Sequence, residues 1–139
     1  MFLHITGVGI FLFGHGISGG TSIALGWKPS LEASRALLQL SIWSARIMYP
    51  GLLLLLVTGV WMGFDGSWWG RGWIWASIVV LVVVASTMGF LSRHYHMARE
   101  AKTDAEVTTN LAGVRPGAIA LIGVAGLFVL FFLMVFKPF

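Results

Sequence analysis

The sequence predicts an all-α polytopic membrane protein, a bundle of four transmembrane helices forming one domain over residues 1–139. Of its 139 residues, 58% are hydrophobic and only 10% are charged, against about 25% charged in a soluble domain. Mean hydropathy is +0.89. Too little polar surface remains to cover a water-facing globule. That excludes an ordinary soluble enzyme, a disordered tail and a secreted scaffold. With no cysteine, disulfide frameworks, thiolate metal sites and thiol nucleophiles are excluded too.

Four apolar runs define the spans, at about residues 2–25, 37–64, 73–91 and 118–136. Each suffices to cross roughly 30 Å of hydrocarbon at about 1.5 Å per residue. Helices are required, because an isolated strand cannot satisfy its backbone in lipid. Unbroken stretches such as Leu52–Leu56 and Val79–Val84 lack the alternation of a membrane barrel. The first run has no basic leader and no small-residue cleavage site, so it reads as a span rather than a signal peptide.

The connections follow. Gly26–Ser30 closes the first hairpin. Asp65–Trp73 closes the second, and its tryptophans suit a membrane interface. The third connection, about Ser92–Gly117, carries most of the charge and is expected to extend the third helix into water and then turn, and Pro116 marks the start of the last helix. Lys28, Arg35, Arg46, Arg93, Arg99, Lys102 and Arg115 fall on one side, with only Arg71 and Lys137 on the other. The positive-inside rule therefore places both termini outside the cytoplasm, in a cell membrane that reads as a bacterial inner membrane. The net charge of +4 is explained by that asymmetry rather than by nucleic acid binding.

Ionisable groups inside spans are costly and point to function. His4 and His15 lie on the first helix, eleven residues apart, nearly on one face and about 16 Å apart along the axis. Each is a candidate haem or metal ligand, and a neutral histidine bonded to a neighbouring helix is the alternative. Depth counting places Thr87 or Met88 level with His15, and a His15–Met88 axial pair is chemically acceptable. Arg46 suits a porphyrin propionate or a lipid phosphate. His94 and His96 point to different helix faces and read as a solvated basic end. Gly14–Gly19 fits G-x-G-x-x-G, but no strand precedes it, so a nucleotide site is rejected. Gly16 and Gly20, and on the last helix Gly117, Ala120, Gly123 and Gly126, read as helix-packing faces on which leucine at Gly19 or Gly123 would disrupt assembly. No carboxylate lies within a span, so a proton pump or a hydrolase lacks its groups.

Several motifs resemble those of the HemJ-type protoporphyrinogen oxidases and their CopD-like relatives, small four-helix membrane proteins. Leu3-His4-Ile5 with Gly14 is similar to that family's "FHI" and its following glycine. Ile47-Met48-Tyr49-Pro50 with Gly59-Val60-Trp61 resembles "IM-x-P … G-L-W", and Lys137-Pro138-Phe139 resembles a terminal "KPF". The resemblance implies haem b as cofactor, His4 as first-helix ligand, porphyrin as substrate and quinone as electron acceptor. Departures accompany it. Aligned on Trp73, the family's third-helix His and Lys become Trp75 and Ser77, a later Tyr-His pair falls near Thr87 and Met88, and "N-E-x-P" before the last helix is missing. The alternative is a non-catalytic small subunit without cofactor, packing in a homo-oligomer or larger membrane complex.

Overall fold

A computed structural model describes all of residues 1–139. Six α-helices form in chain order: α1 Phe2–Gly26, α2 Leu31–Asp65, α3 Gly72–Leu91, α4 Arg93–Glu100, α5 Asp104–Ala112 and α6 Pro116–Phe136, with a 3₁₀ turn at Trp68–Gly70. Helices α1, α2, α3 and α6 are each long and apolar enough to cross a membrane. All four expected spans are helical, and α6 has its proline at the first turn. Two boundaries differ from expectation. α2 starts at Leu31, not near 37, because Ser30 caps it by accepting from the Ala33 N–H at 3.3 Å. The third connection contains α4 and α5 rather than an extension of α3. α5 is started by a capping box, in which Thr103 accepts from the Glu106 N–H while the Glu106 carboxylate accepts from the Thr103 N–H.

The spans pack in the order α2–α1–α6–α3, with no extensive contact between α2 and α3. They form an open row rather than the closed ring that a bundle implies. Small residues explain the order. A Cβ on Gly7 would stand 2.8 Å from the Leu55 N, one on Gly14 2.7 Å from the Met48 N, and one on Gly51 2.5 Å from the Phe11 N. These three glycines therefore let the α1 and α2 backbones touch. On α6, Gly126 accommodates Val84 of α3, and Gly123 accommodates His15 of α1. α2 and α3 have no glycines facing each other, and apolar side chains such as Val57 and Val82 stay exposed. In hydrocarbon, apolar side chains alone do not pull helices together.

The packing expectation needs correction at several positions. Gly16, Gly19, Gly20 and Gly117 have open space where a Cβ would stand, whereas Gly123 and Gly126 are tight. The G-x-x-x-G of α1 is not its contact face. Gly7 and Gly14, spaced by seven, form that face instead.

The two ends differ. One, the basic end, gathers the first connection, α4, α5 and the start of α6 around a buried cluster of Leu25, Leu38, Tyr95, Ala98, Val107 and Ile119. The other holds the termini and the tryptophan-rich second connection. There Lys137 lies 4.0 Å over the Trp68 ring, and Phe139 O accepts from the Trp73 N–H at 3.3 Å, tying α6 to the start of α3.

Candidate ligand site on the first two helices

His4 sits in the first turn of α1 and is partly buried. Its ring crosses to α2, where a Cβ on Gly59 would meet the His4 Cε1 at 3.3 Å. Glycine at 59 therefore makes the space the imidazole occupies. Nδ1 lies 3.0 Å from the Thr58 Oγ1. The Thr58 hydroxyl also reaches the Leu54 carbonyl at 2.6 Å and the Leu55 carbonyl at 3.2 Å. When it donates to its own helix, its oxygen accepts from Nδ1–H of the ring, the tautomer in which a neutral imidazole keeps its lone pair on Nε2. A ligating histidine is commonly held this way, by an outer hydrogen bond that fixes the tautomer. An imidazole nitrogen of this kind has the donor chemistry to hold a haem iron.

His15 is placed differently. Phe11 stacks on it with centroids 5.5 Å apart. A Cβ on Gly123 would stand 3.1 Å from its Nε2 and 3.6 Å from the Met88 Cε. His15 and Met88, placed level by depth counting, both lie against one glycine of α6. With Phe11 stacked on the ring and α6 close against Nε2, His15 reads here as a packed histidine at a helix crossing. Met88, level with His15 and about 16 Å along the bundle from His4, does not face the same iron as His4.

Arg46 is exposed on α2, its guanidinium 4.8 Å over the Trp43 ring. It lies about 18 Å along α2 from Thr58, and the structure does not bring it to His4. At the third-helix positions where the resemblance implies a second ligand, Trp75 Nε1 donates to the Trp69 carbonyl at 2.9 Å, and the Ser77 hydroxyl donates to the Trp73 carbonyl at 2.8 Å. Both are committed to local backbone. His94 packs on Gly113 between α4 and α5, and His96 is exposed. No group of three or more His, Cys, Asp or Glu residues is arranged to hold a metal ion.

Sequence reasoning singled out His4 but missed Thr58 as its partner. The available signal was a threonine beside the glycine of the Gly59-Val60-Trp61 motif. Fold and site together define a helical protein with four helices able to span a membrane and a histidine hydrogen-bonded to a threonine between the first two. No family model matches the chain, and neither the curated proteins nor the solved structures gave a match.

Proposed function

We propose that the chain is an integral membrane haem-b-binding redox protein in which His4 Nε2 ligates the iron. The observation carrying this reading is the relay from the His4 Nδ1–H through the Thr58 hydroxyl to the Leu54 carbonyl. It orients the ring and raises the basicity of Nε2. Haem b supplies one-electron chemistry when bound. Gly59 admits the imidazole to α2, and Thr58 holds its tautomer. Protoporphyrinogen oxidation, with electrons passed to quinone, is the activity the resemblance implies, and we carry it as part of the proposal. The proposed setting is a bacterial inner membrane, with the basic end in the cytoplasm and both termini outside.

The deciding experiment is a visible spectrum of the protein purified after expression with ample haem. A Soret band is expected in the wild type, lost in His4→Ala and kept in His15→Ala. Thr58→Val should keep the ligand but weaken haem retention about 10- to 100-fold, the usual loss when an outer partner of a ligand is removed. A colourless wild type, or a His4→Ala variant with full haem, overturns the assignment. The second reading, a non-catalytic membrane subunit, is favoured by Trp75 and Ser77, which offer no ligand on α3. It takes over if the wild type is colourless.

A further inference from the structure

We propose a second site, at the basic end between α2 and α4, in which Arg99 binds the phosphodiester headgroup of an anionic phospholipid. Arg99 is partly buried, and its Nε donates to the Ser41 Oγ at 3.0 Å. Ser41 in turn donates to the Leu38 carbonyl at 2.6 Å, so that oxygen is set to receive the guanidinium. The remaining guanidinium N–H groups have no acceptor in the protein.

A carboxylate would normally answer such a charge, yet none does. The chain has five acidic residues. Asp104 pairs with Arg35 at 2.6 Å, the only ion pair in the structure. Glu106 is engaged with the Lys102 and Thr103 backbone. Glu32 and Glu100 are exposed and pair with no cation, and Asp65 lies at the opposite end of α2. A partly desolvated guanidinium without a counter-ion is costly. Its free N–H groups are accessible rather than sealed, so an external anion can complete it. Phosphodiester oxygens match the planar fork of arginine in two parallel hydrogen bonds.

The setting selects a lipid. α4 begins two residues after α3 ends, so it lies where the apolar span gives way to charge. Tyr95 and Ala98 are buried in the core cluster and fix α4 against α2. The Tyr95 hydroxyl is bonded to the Ser22 Oγ at 2.8 Å, which leaves Arg99 at the edge of a rigid element. Leu40 of α2, next to Ser41 in the chain, is 46% exposed and offers an apolar neighbour for an acyl chain that a free phosphate would not use.

The full-length protein in detergent, given an equal mixture of phosphatidylglycerol and phosphatidylcholine, tests this by the ratio of lipids it retains in native mass spectrometry. A basic residue near an anionic surface contributes about 1 kcal/mol, or about fivefold. Wild type should therefore retain phosphatidylglycerol in preference to phosphatidylcholine, and Arg99→Gln should lower that ratio about fivefold. Arg99→Lys keeps the charge without the fork and should fall between them. It also serves as the reading should the glutamine variant not fold. Arg35→Gln, which removes an arginine already paired, should leave the ratio unchanged. An unchanged ratio in Arg99→Gln overturns the proposal, as does an equal loss in Arg35→Gln, which would show attraction by overall charge. Competition by millimolar inorganic phosphate alone would overturn the lipid assignment. None of these outcomes depends on haem.

Discussion

The basic end and the middle of the row are held together by different means. At the basic end, side chains fill the core, and Val107 is 0% exposed. Along the spans, the fifteen buried residues of α1, α2 and α6 are mostly small: six are glycines, Gly7, Gly14, Gly51, Gly63, Gly123 and Gly126, and five are serines or threonines. The contrast follows from the solvent each region meets. In water, removing apolar area stabilises packing such as that around α4 and α5. Between helices that cross hydrocarbon, as these four are long and apolar enough to do, that term would vanish and close backbone approach and dispersion would replace it.

The sharpest way to break this comparison is to add bulk between spans. Gly14→Leu would drive a side chain into the Met48 backbone 2.7 Å away, and overpacking of this kind costs about 3 kcal/mol or more. Loss of yield and of a melting transition in detergent is expected. Gly19→Leu meets open space and should melt like wild type. Equal behaviour of the two would show that the α1–α2 approach does not hold the row.

Removing bulk should matter most at the other end. Val107→Ala deletes buried methyl groups and should cost about 2 kcal/mol, read as a lower melting temperature. The same truncation at exposed Val57 or Val82 should be nearly silent in detergent. Tyr95→Phe removes the bond to Ser22 and should cost about 1 kcal/mol.

Tyr95 also gives the basic end an alkaline limit. Burial pushes its phenol above the ordinary 10.0. A neutral phenol thus favours the fold below pH 10, and that contribution disappears as pH rises through the folded value. Wild type should lose melting temperature above pH 10 more steeply than Tyr95→Phe. The smallest effect lies in the α5 capping box. Backbone N–H groups of Thr103 and Lys102 hold the Glu106 carboxyl below its ordinary 4.5. Its contribution is present above pH 4.5 and lost as pH falls through the folded value. Glu106→Ala should flatten the melting-temperature change between about pH 5 and pH 3.

Much of this was legible in the sequence, because spans are written in composition. Unbroken apolar runs and the cost of unpaired backbone in lipid leave only helices, so the four long helices and the proline start of α6 followed from the residues alone, while α4 and α5 in the third connection did not. The level pairing of His15 with Met88 came from helix rise, a fixed geometric constant. Tertiary structure decided what depends on rotation about each helix axis. Gly14 and Gly19 are indistinguishable as letters, yet one touches α2 and the other touches nothing, since five residues turn about 140° around a helix. The same rotation brings Thr58 and Gly59 to His4, something composition and spacing along one helix do not encode. Open order in the row has the same origin. Apolar side chains fit lipid as well as each other, so only the placement of small residues chose α1 and α6 as its centre.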